Sequence, residues 1–367
     1  MENKNKNSSV SRRNFIKTSA IAAGSLAFLP AAFQSKGIIG MSAQERVNKR
    51  PNSEFGGIQI GAITFAFRDL PSTAESMLGA AKDTGISSLE LMGDVIESYA
   101  GLPPGPTELP EPLSPQAKAR VDDMAKKYHI SLDQLKNSLP PAMWSMIVSG
   151  IVGPTEEQRK WRTSVPMNKF EELRKMYNNA GVNIHIAKLA PSSWSDGEID
   201  YTFKVAKTLG AGGISDEIGE ESCKRLAPFA EKYKSYAIFH NHAQLADKSF
   251  NLDELLAFSP AIMLNFDCGH YYGTTGKNPC DFIEKYHNRI FSIHLNDNLG
   301  PGSAAPDTNK MYGQGQTPLA EVLILLKKHA KDNEWPKHAD IDDTMLKMSN
   351  SVEEVKSYVE YCRKILS

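Results

Sequence analysis

Short apolar runs of strand length alternate with longer amphipathic stretches over most of this chain. The runs are "IQIGAITFAF" from Ile58, "ISSLELMG" from Ile86, "VNIHIAKL" from Val182, "GGISDEI" from Gly212, "YAIFHNH" from Tyr236, "AIMLNFDCGH" from Ala261, "IFSIHLND" from Ile290 and "HADIDD" from His338. Between them lie helix-like segments such as "ESCKRLAPFAEKYK" and "PLAEVLILLKKHAKDN", and "SVEEVKSYVEYCRKIL" closes the chain. Strand and helix in alternation predict a parallel sheet, and eight such units are the number that closes a (β/α)8 TIM barrel. No Gly-rich phosphate turn follows the first run, which sets an open doubly wound sheet aside.

One interval breaks the rhythm. Between Gly93 and Gly181 the chain carries "LPPGPTELPEPLSP", whose six prolines exclude regular helix, and then Trp144 and Trp161. "EEQRKWRTSVPMNKFEELRKMYNNAG" supplies the helix that leads into the third strand. The excess reads as a barrel insertion, either covering one end of a site or standing as an exposed loop.

The N-terminus adds a compartment. "SRRNFIK" at Ser11–Lys17 precedes the small, mildly apolar run "TSAIAAGSLAFLPAAF", a basic region followed by a stretch too short to span a bilayer. It has the form of a twin-arginine export signal. The organisation expected is a signal over 1–35, a polar linker over 36–54 and a barrel over 55–367, with a periplasmic location and no membrane span in the mature chain. The signal region carries a charge of +4, leaving −5 on the rest, and a mildly acidic body argues against nucleic acid as a partner. The four cysteines show neither CxxC spacing nor a disulfide framework and read as buried thiols, with a Cys268–Cys280 bridge left open. The oligomeric state is also left open.

Polar residues at strand C-termini carry the chemistry in a barrel of this kind. The fifth run ends in His240-Asn241-His242, the sixth in Asp267 and His270, the seventh in His294 and Asp297, and the eighth in Asp340, Asp342 and Asp343. Residues two apart on a strand face the same way, so His240 pairs with His242 and Asp340 with Asp342. Imidazoles and carboxylates without thiolates suit one divalent ion of the Mn, Co, Mg or Zn type.

These motifs resemble the xylose isomerase-like TIM barrels, the group of sugar phosphate isomerases/epimerases and ketose 3-epimerases. "LELMG", "FHNH", "NFDCGH", "SIHLND", the glycine turn "YGQGQTP" from Tyr312 and "ADIDD" carry the resemblance from about Gly57 to the C-terminus. It implies metal ligation by His240, Asp267, His294 and Asp342, with His270 touching substrate oxygen. The chain departs from the group where His240 replaces a frequent glutamate, Asp342 a longer glutamate and Asn296 a frequent lysine. Because the group uses its two glutamates as proton-transfer bases, the base here is sought among Glu217, His242 and Asp342. Lys188 and Trp194 are further candidates for substrate binding, and Glu90 for orienting a ligand. The resemblance implies a sugar isomerase or epimerase that removes a proton next to a carbonyl through an enediolate. A metal-dependent lyase or dehydratase on an oxidised sugar and a non-catalytic sugar-binding protein are the rivals. An abasic-site endonuclease would need more histidines and a basic face.

Overall fold

The computed structural model describes residues 50–367 except 129, 130, 139, 140 and 346. The expected export signal and most of the expected linker lie outside these residues. The described chain divides into two compact units, one spanning 104–156 and the other 50–103 with 157–367.

The larger unit is built on eight strands: β1 (Ile58–Ile63), β2 (Ser88–Met92), β3 (Asn183–Lys188), β4 (Gly213–Glu217), β5 (Tyr236–His240), β6 (Ile262–Asp267), β7 (Ile290–Leu295) and β8 (His338–Ile341). Each pairs in parallel with the next, and β8 pairs with β1, so the sheet closes into a TIM barrel. A two-residue strand, Glu54–Phe55, lies antiparallel to the start of β1. Alternation decides which side chains face the helices. Ile58, Ile60 and Ala62 of β1, Leu89 and Leu91 of β2, Phe239 of β5, Leu264 and Phe266 of β6, and Ile293 and Leu295 of β7 join the buried layer between sheet and helices.

The other parity points inward, and the register sorts it into layers. Asp340 lies beside Gly61, and Ile63, two residues on, lies beside Glu90. Ser215 lies beside Ile238, and His240 beside Asn265. Asn265 lies beside Ser292, and His294 beside Asp340. An advance of two residues for every two strands is the stagger of a (β/α)8 barrel, whose interior stacks side chains from alternate strands. Glu90, Ser215, Asn265 and Asp340 therefore form one layer. His240 and His294 stand in the layer above it, and Glu217, Asp267 and Asp342 above those. Gly61 makes this stacking possible, because a Cβ there would lie 1.9 Å from Asp340 Oδ1 and 3.0 Å from the Ser88 carbonyl. Gly61→Ala should cost about 1–3 kcal/mol by overpacking, read as a lower urea midpoint at unchanged slope.

Two elements differ from the sequence expectation. The first run ends as a strand at Ile63 and continues as a 3-10 turn over Thr64–Phe67. The segment before β3 forms two helices, Glu156–Ser164 and Asn168–Ala180, because Pro166 interrupts the amide ladder and restrains Val165. The smaller unit carries helices Pro115–Tyr128, Leu132–Ser138 and Pro141–Val152 after the proline-rich segment. Arg120 Nη1 donates to the carbonyls of Gly150 and Ile151, and Trp144 Nε1 to that of Thr107. The four cysteines are free thiols, so no Cys268–Cys280 bridge forms. Among the described residues no helix is long and apolar enough to cross a membrane.

Candidate metal centre and active site

Four strand ends converge at the C-terminal mouth of the barrel. His240, Asp267 and His294 each place one donor atom within 4.8 Å of the others, and all three side chains are buried. Asp342, just past β8, sets its Oδ1 3.1 Å from His294 Nδ1. Asn296 ties the two acids together, donating from Nδ2 to Asp267 Oδ2 at 2.6 Å and to Asp342 Oδ2 at 2.9 Å. At the position where relatives of the resembled group carry lysine, this chain thus has a neutral donor that fixes the spacing of two carboxylates.

The sixth run ends as it does for a reason the apolar pattern hides. Asp267 closes β6 and caps the helix Cys268–Thr275, its Oδ1 accepting from the His270 amide at 2.7 Å. Asn241 braces the same residue from β5, its Oδ1 accepting from the Asp267 amide and its Nδ2 donating to the Asp267 carbonyl. One acid therefore ends a strand, starts a helix and keeps an oxygen at the mouth.

Electrostatics separate the four groups. Burial, reinforced by His294 and Lys188, holds the His240 imidazole well below its ordinary pKa, so the ring is neutral and keeps a lone pair. Its Nδ1 is buried and has no hydrogen-bond partner. Burial opposes charge on Asp342, but His294, His240 and the Asn296 amide overcome it and keep the carboxyl far below the usual carboxylate range. Asp267 is displaced upward by burial and by the neighbouring Asp342 charge, against the pull of His270. Burial also opposes charge on His294, yet Asp342 and Glu90 raise its pKa well above the ordinary value.

These residues fit a divalent ion. An orphaned imidazole nitrogen, a second imidazole whose Nδ1 faces a carboxylate, and two acids make a mixed nitrogen and oxygen set of the kind that binds Mn, Co or Zn. His294 is oriented for the task from below. Its Nε2 lies 2.8 Å from Glu90 Oε2, which also accepts from Asn265 Nδ2 at 2.7 Å. A carboxylate on the far nitrogen fixes the tautomer and turns Nδ1 towards the mouth. Glu90→Gln should weaken metal affinity about 10–100-fold while leaving the ligand set intact. Titration with Mn or Zn against a competing chelator measures this, and unchanged affinity would remove Glu90 from the design.

Two groups lie beside the centre. Lys188 Nζ donates to Glu217 Oε1 at 2.9 Å, and His242 Nε2 lies 3.2 Å from Glu217 Oε2. The Lys188 side chain is largely buried, so it is no free surface lysine. The ring of His242 stands 4.6 Å from that of His240 and 4.7 Å from that of His270, centroid to centroid. Next to His242, Asp307 holds His270, with Oδ1 3.0 Å from Nδ1, and Asn298 Nδ2 donates to Asp307 at 2.7 Å. Burial disfavours the imidazolium, but Asp267 and Asp307 raise the His270 pKa to about 9. Asp307 carries no signal in the sequence. It sits in the left-handed region at φ 56°, which Asp tolerates better than most residues, in the turn between the short strands Asp297–Asn298 and Asn309–Lys310.

The expected site residues are not all assembled. His240, His242, Asp267, His270, His294, Asp342, Glu217 and Lys188 come together, whereas Trp194 does not join the ring of imidazoles. Its indole packs against Arg162, whose guanidinium carbon lies 3.7 Å from the ring centroid. Asp297 is likewise spent on structure, its Oδ2 accepting from the Gly313 and Gly315 amides of the glycine turn at 2.7 and 3.0 Å.

No family model matches this sequence. No curated protein matches it either. Solved structures do. A xylose isomerase domain protein from Planctomyces limnophilus is 12% identical with a TM-score of 0.50, over 85% of this chain and 97% of its own. AsbF from Bacillus anthracis, described as the probable 3-DHS dehydratase involved in petrobactin synthesis, is 12% identical with a TM-score of 0.50, over 83% and 98%. A xylose isomerase domain containing protein from Salmonella typhimurium LT2 is 12% identical with a TM-score of 0.48, over 85% and 98%. Identity at this level speaks to fold alone, and the fold that the first two share with this chain is the TIM barrel.

Proposed function

We propose that this chain is a divalent-metal-dependent sugar isomerase or epimerase that moves a proton on the carbon next to a carbonyl. The observation that carries the reading is the convergence of His240, Asp267, His294 and Asp342 beside two adjacent supported histidines, His242 on Glu217 and His270 on Asp307. When bound there, a divalent ion supplies Lewis acidity to the oxygens of a carbonyl and its neighbouring hydroxyl.

The remaining work falls to side chains. Of the three candidate bases, Asp342 is held far below the carboxylate range and Glu217 is tied to Lys188, so both are weak proton acceptors. His242 is half exposed at the mouth and is backed by the Glu217 carboxylate. It is the base that fits, since an adjacent acid both orients an imidazole and stabilises the imidazolium it becomes. His270, with Nδ1 engaged by Asp307, turns Nε2 to a substrate oxygen and donates to the negative charge that develops on it. Lys188 and Glu217 set the position of His242. Return of the proton to the same carbon from the other face epimerises, and its return to the neighbouring carbon isomerises.

A second reading has its own support. His242 and His270 stand next to each other beside the ligand cluster, ring centroids 4.7 Å apart, as a base and a donor, the pair that a lyase uses to remove a proton and protonate a β-leaving group on the same face. The "SRRNFIK" motif supports export, and an exported enzyme meets free or oxidised sugars in preference to phosphorylated ones. The test is proton–deuterium exchange in heavy water on a panel of free and 3-oxidised sugars, with Mn, Co, Mg or Zn supplied. Metal-dependent labelling at one carbon supports the isomerase or epimerase, and labelling with loss of a substituent supports the lyase. Sugar binding without exchange would refute both and leave a binding protein.

A further inference from the structure

We propose that the barrel core holds a second cation, oxygen-ligated and of the alkali or alkaline-earth class, in the layer formed by Glu90, Ser215, Asn265 and Asp340. The inference rests on the barrel interior and not on the reaction.

Layers of this kind are ordinarily filled by branched apolar side chains. This one contains none, and all four of its side chains are fully buried. Their outer atoms are answered. Glu90 Oε2 accepts from Asn265 Nδ2 and faces His294 Nε2, and Asp340 Oδ2 lies 3.0 Å from His185 Nε2 and accepts from Ser292. One oxygen of each member is not. Glu90 Oε1, Ser215 Oγ, Asn265 Oδ1 and Asp340 Oδ1 are buried without a hydrogen-bond partner. Ser215 has no other polar side-chain atom, so its whole polar function is unanswered. Each such acceptor costs about 1–3 kcal/mol if left unpaired, which four strands in register would not sustain together.

The unpaired atoms share one chemistry. All are oxygens, two of them on carboxylates, and the strand register places their four residues in one layer of the barrel interior. A set of hard oxygen donors selects Na+, K+, Mg2+ or Ca2+ over the softer metals suited to the imidazoles above. Water would supply hydrogens but no charge. Gly61 beneath and the small Ser215 keep the layer from being filled by carbon.

Elemental analysis of the full chain, passed through tetramethylammonium buffer so that every alkali, alkaline-earth and transition ion is countable, tests this on the native protein and on His240→Ala, Ser215→Val and Ser215→Ala. The native protein should retain one equivalent of a hard cation, and His240→Ala should retain it while losing the ion at the mouth. Ser215→Val should lose the hard cation and keep the mouth ion. Ser215→Ala, a milder change that carries the test if the valine variant does not fold, should hold the hard cation at least tenfold more weakly. A native protein with no hard cation above the buffer blank overturns the proposal, as does full retention in both Ser215 variants. Loss of the mouth ion alone bears on the proposed reaction and leaves the lower site standing.

Discussion

His294→Ala should release the mouth ion and lower turnover on the order of a thousandfold, the equivalent of several kcal/mol of lost charge stabilisation. The ring is the hinge between two layers. Its Nδ1 faces Asp342, and its Nε2 faces Glu90. Truncation removes a ligand and also strips Glu90 and Asn265 of a buried neighbour, so stability should fall by about 1–3 kcal/mol as well. The two effects are separable. Urea unfolding at pH 7 reports the second, and metal content measured on the folded variant reports the first. Deuterium exchange into the substrate identified for the native chain then reports turnover. A folded His294→Ala that keeps its full complement of metal would remove His294 from the ligand set, whatever its activity.

The barrel was legible because its signals repeat. Eight apolar runs separated by helical stretches have one closed solution, and polar residues at run ends mark the mouth of that solution. His240, Asp267, His294 and Asp342 stood out as candidates because each breaks the apolar pattern at a strand terminus, and the structure brings the four together. What stayed hidden depends on relations between distant positions. Ser215 and Asn265 each look like an ordinary polar step in an alternating strand, and only the register joins them with Glu90 and Asp340, which the sequence had marked for other reasons, into a layer. Asp307 lies in a loop of small and polar residues with no periodicity, so nothing local links it to His270, 37 positions away. Asn296 could be recognised as a departure from lysine, but its bridging of Asp267 and Asp342 required both carboxylates in place. Trp194 could be read for a sugar face or for packing, and its contact with Arg162 was hidden because that arginine lies in a helix before the strand.

That arginine sets the second large expectation: Arg162→Leu should cost the fold about 3–5 kcal/mol, the range for removing one partner of a buried ion pair. Arg162 is buried, with Nε 2.7 Å from Glu97 Oε1, Nη2 2.9 Å from Glu97 Oε2 and Nη1 3.2 Å from Glu198 Oε1. Tyr201 donates its hydroxyl to Glu97, and Ser195 gives both its amide and its hydroxyl to Glu198. Burial alone would favour loss of the guanidinium charge, but Glu97 and Glu198 raise its pKa, so the cluster is ionic in the folded chain. Leucine would fill part of the volume and leave Glu97 buried without its cation, with Glu198 keeping only Arg159 at 3.6 Å. Replacing Glu97 by leucine in the same chain should restore part of the loss, because the desolvated charge goes with it. Metal content at the mouth should not change in either variant. Trp194→Ala should follow the same pattern, lowering the urea midpoint and leaving KM for the proposed substrate in place, since its indole face is taken by Arg162. A rise in KM without a loss of stability would return Trp194 to the substrate, and a cost below about 1 kcal/mol for Arg162→Leu would show that the cluster is solvated in the native chain.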